Sequence, residues 1–171
     1  GIYAKDELIE PVARTTTRQE NDETAIAKVI GVPKQLNKIT LVKGQLPQKD
    51  NEIVVEEAYL KKNKVKIGDS LKMNDPDLTN ETYQIVGTVK SPLYFSKVHR
   101  GTTSLGDGRI DYFMYVKPSV FKQDMYSAIA LTVKGAKQEM TSQTAYLDRI
   151  SAAKKEVETI KNAQETQRFE T

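Results

Sequence analysis

Between residues 25 and 134 every apolar block is short, rich in β-branched or aromatic residues, and ended by a glycine, a proline or an acidic turn. Breaks so closely spaced leave no room for long amphipathic helices, whereas strands of about four to eight residues fit between them. The blocks at 25–32 (AIAKVIGV) and 38–42 (KITLV), parted by Pro33 and a polar link, read as two strands. Gly44 and Pro47 turn the chain into a third at 52–56 (EIVVE), and 57–64 (EAYLKKNK) gives a short helix with Ala58 and Leu60 near its inner side. Val65, Ile67, Leu71 and Met73 fall on a period of two around a Gly68-Asp69 turn, which predicts strand pieces with one buried face. The acidic turn at 74–81 then joins this block to 82–90 (TYQIVGTVK) as a hairpin. Residues 110–117 and 125–134 (MYSAIALTVK) complete about eight strands, with 119–123 as a helical turn between them. The expected core is an α+β domain over residues 25–136, built on a mixed or antiparallel sheet with short helices.

The two ends differ from this middle. Residues 1–24 are polar, and the run 14–23 (RTTTRQENDE) offers almost nothing to bury, so an extended segment is expected there. Ser142 is placed to cap a helix, and residues 143–168 contain neither Gly nor Pro. Tyr146, Ile150, Ala153, Val157 and Ile160 follow the 4-3-4-3 spacing of a coiled-coil seam, with Lys154/Glu158 and Lys161/Glu165 as opposite charges four apart. Such a helix is about 40 Å long at 1.5 Å per residue, more than the sheet needs for cover. The segment 141–171 is therefore expected to project as a stalk; the alternative is packing on the sheet through Tyr146, Leu147 and Ile150.

Composition excludes several classes. The 26 basic and 23 acidic residues are interleaved and leave a formal charge of +3, which gives no electrostatic case for nucleic acid. With no cysteine, disulfides, thiolate chemistry and cysteine-ligated zinc are ruled out. No apolar run approaches the ~18 residues that a bilayer requires, and the N-terminus lacks the layout of a secretory signal. The chain opens on Gly1, so a segment cut from a longer polypeptide is expected, with membrane spans in its flanks.

Chemical motifs fare poorly. The run 101–106 (GTTSLG) has the glycine spacing of a phosphate loop, but Asp107 and Gly108 stand where Lys and Ser or Thr are needed. Asp75, Asp77 and Thr79 mimic the oxygens of a calcium loop, yet Asn80 replaces its glycine and Val86 its bidentate Glu, so a turn is expected instead. The single histidine, His99, has Ser96, Ser104 and Asp107 nearby but no nucleophile elbow, and reads as a loop residue. What stands out is the loop 91–109 itself, long for a compact domain and mixing aromatic with arginine side chains. Tyr94, Phe95, Arg100, Arg109 and the adjoining Tyr112 are the candidate partner-binding residues, because those types dominate interface hot spots. The other reading is a structural Ω-loop shaped by Pro92, Gly101, Gly106 and Gly108.

Seven blocks recur in a known order: 44–47 (GQLP) with 51–55 (NEIVV), 66–69 (KIGD), 85–89 (IVGTV), and then 91–94 (SPLY), 100–102 (RGT) and 111–113 (DYF). In these, over about residues 39–134, the chain resembles the extracytoplasmic MacB-like core domain of FtsX-like ABC transporter permeases, the large Gram-positive members in particular. The resemblance implies a non-catalytic role at the outer face of the cell membrane, without cofactor, metal or catalytic residues. Its implied partners are the transmembrane remainder of the permease, a cytoplasmic ATPase subunit whose motion it passes on, and an extracellular or cell-wall protein. The helix from Ser142 resembles the start of the coiled-coil insertion of some of these permeases. Against the family pattern, the domain's first strand and helix and the return strand of the coil are missing. The rival readings are a secreted or wall-anchored adhesin module and a small secreted hydrolase using His99.

Overall fold

The computed structural model describes residues 9–12, 14–19, 22–94, 100–122, 128–133, 135–136 and 144–169. Its strands are β1 (Ile9–Val12), β2 (Arg14–Gln19), β3 (Asp22–Gly31), β4 (Thr40–Gly44), β5 (Glu52–Val55), β6 (Ser70–Lys72), β7 (Thr82–Lys90), β8 (Tyr112–Val116) and β9 (Ala128–Leu131). The helices are α1 (Glu57–Asn63) and α2 (Thr144–Phe169). Contacts divide the chain into two units, residues 10–130 and residues 1–9 with 131–171.

The first unit holds a mixed seven-stranded sheet, ordered β2-β3-β8-β5-β7-β4, with β6 also paired to β7. Pairs β3/β8 and β5/β7 are parallel, while β2/β3, β8/β5, β4/β7 and β6/β7 are antiparallel. In the middle of the sheet, β5 and β8 are buried at every position. Both faces are therefore covered, which is why EIVV and YFMYV read as unbroken apolar runs rather than alternations. Ile53, Val55, Tyr112, Met114 and Val116 enter the core on the α1 side with Tyr59, Tyr83 and Ile85. Val54, Phe113 and Tyr115 face the opposite cluster with Ile30, Val89 and Ile110. Full burial of one such side chain is worth about 1.5–3 kcal/mol.

The sheet has seven strands against the expected eight or so, through three differences. The block 125–134 contributes β9, which pairs with β1 in a separate two-stranded sheet. Val65 and Ile67 form no strand, because Lys66 and Asp69 close a turn there: Lys66 N–H donates to Asp69 Oδ2 (2.9 Å) and Asp69 N–H to Lys66 O (3.1 Å). Conversely, part of the segment expected to be merely extended is the edge strand β2.

Helix α1 starts directly from the end of β5, with Glu57 in its first turn and Lys61 and Lys62 in its last, each sign suited to the helix dipole. It stops at Lys64, whose φ of 56° is left-handed. Tyr59 is its fully buried residue, whereas Ala58 is exposed and Leu60 half-buried, so the inner face is set by Tyr59 rather than Ala58. The 26-residue α2 runs without a break, as the absence of Gly and Pro predicts. Along its seam Ala153 is buried, Tyr146 and Ile150 are half-buried, and Val157, Ile160 and the adjacent Leu147 are exposed. No helix among the described residues is long and apolar enough to cross a membrane.

Strand β7 organises the sheet. β5 lies along one edge; β6 and β4 share the other, β6 over Thr82 to Gln84 and β4 over Gly87 to Lys90. Opposite Gly87 stands Gly44, and a Cβ on Gly87 would lie 2.6 Å from both the Gln45 and Lys43 carbonyl oxygens. Backbone, not a flexible side chain, fills that space. Gly87→Ala is accordingly expected to lower stability by about 2–3 kcal/mol in urea denaturation; a loss below about 0.5 kcal/mol would mean that the two strands can separate freely here.

Candidate functional site

The loop after β7 is fixed at its two described ends by contacts with Phe113 and Glu56. At the near end Tyr94 stacks on Phe113, ring centroids 3.4 Å apart and 12° from parallel. Further along, Arg100 returns to the same place. Its Nη1 and Nη2 donate to Glu56 Oε2 (2.7 Å) and Oε1 (2.8 Å), and Nη1 donates as well to Asp111 O (2.7 Å). The guanidinium carbon lies 5.2 Å from the Phe113 ring centroid. Glu56 Oε2 also accepts Phe113 N–H at 2.9 Å. Glu56 is the extended residue between β5 and α1, so one carboxylate joins the helix start, the loop and the beginning of β8. With side chains only 11% and 19% exposed, this bidentate pair is largely sheltered from water.

From Arg100 the chain makes a tight excursion: Thr102 bridges to Arg109, and Thr103 N–H donates to Gly108 O. Gly101, Gly106 and Gly108 all have positive φ, which the turn needs. The excursion ends at Asp111, whose Oδ2 accepts Ile26 N–H (2.8 Å) while its own N–H donates to Ile26 O (2.8 Å). Between this tip and α1 opens a cleft of about 490 Å³, lined among others by Ala58, Lys62, Arg100, Arg109, Asp111 and Tyr112.

Three of the five sequence candidates, Arg100, Arg109 and Tyr112, thus line one cleft, and they differ in role. Arg109 is 82% exposed beside Asp107 at 3.1 Å. Arg100 is engaged in holding the loop. Tyr112 is buried, edge-on to Tyr59 at 5.1 Å, with the Lys62 ammonium 5.8 Å from its ring centroid. Tyr94 lies on the other face of the sheet, where it borders a smaller apolar groove with Leu93, Tyr115 and Ile129. Phe95 and His99 lie outside the described residues.

The remaining motifs resolve into backbone fastenings. Asp75 Oδ1 accepts Asp77 N–H (2.9 Å), a turn that brings Thr79 N–H to Val120 O (2.8 Å). Asp50 accepts from Lys117 and Ser119, which hold its carboxyl below the usual carboxylate range. Glu52, held low chiefly by the Gln48 N–H, closes the turn before β5. Burial pushes the Tyr115 hydroxyl well up, against a hydrogen bond with Ser91. No group of three or more His, Asp or Glu among the described residues is arranged to hold a metal ion.

Sequence reasoning missed Glu56 and Asp111 as organisers. The available signal was a carboxylate at the end of an otherwise apolar strand, where an unpaired charge is costly. No family model, curated protein or solved structure matches the chain.

Removing one partner of a sheltered pair leaves the other charge uncompensated. Arg100→Met is expected to destabilise the chain by about 3 kcal/mol, whereas Arg109→Met, at an exposed pair, changes stability by less than about 0.5 kcal/mol. Chemical denaturation of both variants checks the contrast; equal losses would contradict it.

Proposed function

We propose that this chain is a non-catalytic extracytoplasmic domain of an FtsX-like ABC transporter permease. In this reading it couples ATP hydrolysis by a cytoplasmic ATPase subunit to extracellular substrate handling or to the regulation of a partner protein.

The observation that carries the reading is that the blocks behind the resemblance meet on one strand. Gly44 of GQLP lies against Gly87 of IVGTV, and Gln45 N–H donates to Val86 O at 3.0 Å. The EIVV residues pair in parallel with β7. In the KIGD turn, Gly68 N–H donates to Ile85 O (2.8 Å), and Ile85 N–H donates to Asp69 O (2.9 Å). These residues act through backbone pairing, close approach and turn closure, the last with the Asp69 carboxylate accepting Lys66 N–H. A set of separate blocks that pins a single register is what a domain that passes on motion needs, since a sheet that slips cannot transmit force. The second half of the resemblance supports the same reading: the RGT and DYF blocks supply Arg100 and Phe113, which fasten the loop to Glu56.

The loop 91–109, with Arg109 exposed at its tip, serves as the docking surface for an extracellular or cell-wall partner, while Arg100 and the buried Tyr112 support it; α2, with Leu147, Val157 and Ile160 exposed, fits the start of a coiled coil. Reading the full reading frame and its neighbours tests the assignment. Apolar runs of about 20 residues on both flanks, beside a gene with a phosphate-loop ATPase motif, are the expected result. A wall-sorting tail without membrane spans would overturn the reading in favour of an adhesin module.

A further inference from the structure

The cleft between α1 and the loop tip gathers more than the fastening of the loop requires. Lys62 stands over the Tyr112 ring, and the Lys28 ammonium reaches within 3.6 Å of the space beside the Gly101 Cα. Arg109 lies at the rim and Arg100 beneath. Among the described residues near these cations, three carboxylates already have backbone or guanidinium donors: Glu56 from Arg100 and Phe113 N–H, Asp111 from Ile26 N–H, Asp107 from Arg109.

The two lysines can each add a contact to an incoming oxyanion, because an ammonium carries three donors. Arg109 can do the same, because its ion pair is too exposed to resist competition. Arg100 contributes mainly its field, since Nη1 and Nη2 already donate to Glu56 and Asp111, although its buried Nε has no partner among the described residues. Ala58, Ile110 and Tyr112 give the cleft an apolar wall, and Gly101 and Gly108 keep its opposite side free of bulk. The volume of about 490 Å³ is that of a small-molecule site.

We infer that this cleft binds a small organic oxyanion, an acid group carried on an apolar or aromatic body, with the acid held between Lys62 and Arg109. The inference does not depend on the transporter reading, because it rests on the cleft alone.

Amide chemical-shift titration of the 171-residue chain with benzoate, phenyl phosphate and neutral benzyl alcohol tests it. One or both acids are expected to shift the amides of Gly101, Thr102 and Gly108 saturably while the alcohol does not; the stronger acid identifies the group selected, carboxylate or phosphate. Lys62→Glu with Arg109→Glu, both on the exposed surface, is expected to weaken that binding about tenfold or more. No saturable shift with either acid, an equal response to benzyl alcohol, or a smaller loss in the charge-reversed chain would overturn the inference.

Discussion

At the junction of β5 and α1, the Glu56 carboxylate receives the Arg100 guanidinium on both oxygens and the Phe113 N–H on one. Three pieces of chain that are far apart in sequence meet there, since Arg100 is 44 residues and Phe113 57 residues from Glu56. A charge held away from water must be matched or it opposes folding. The fold therefore cannot keep Glu56 where it is without also bringing back the loop, and the loop's return shapes the cleft beside α1. Local packing adds to this: Phe113 carries Tyr94 on its ring and has the Arg100 guanidinium close to it, so one aromatic residue anchors both ends of the loop.

A second constraint, steric rather than electrostatic, acts on the other side of the sheet. Gly44 and Gly87 let β4 and β7 approach more closely than any side chain allows. With β5 and β6 also paired to β7, the register of three strands is set around one. The two constraints meet through β5, which pairs with β7 and ends at Glu56. Rigidity in the sheet and definition in the loop are linked in this way, and the proposed role in passing motion to a partner draws on both.

Much of this was legible in the sequence. The strands at 52–56 and 110–117 were apparent because β-branched and aromatic residues cluster between clear stops, that at 82–90 because Tyr83, Ile85, Gly87 and Val89 alternate with polar or small neighbours, and α2 because nothing interrupts it. β2 was not, since its polar, threonine-rich residues lie on an edge strand, where the apolar pattern that marks a central strand is not required. The block 125–134 has strand-like composition, but composition does not say which sheet a strand joins. The loop candidates were chosen by residue type, which separates neither the anchor from the exposed contact nor Arg100 from Arg109. The pairings that do separate them, Arg100 with Glu56 and Asp111 with Ile26, span 44 and 85 residues and leave no local signature.

The central claim is that Glu56 and Arg100 act as one unit. A double-mutant cycle of Glu56→Gln and Arg100→Met, read by urea denaturation, tests it most directly. The account predicts a coupling energy of about 2 kcal/mol or more between the two positions. Additive losses, with coupling below about 0.5 kcal/mol, would contradict it and leave the loop held by its aromatic contacts and backbone alone.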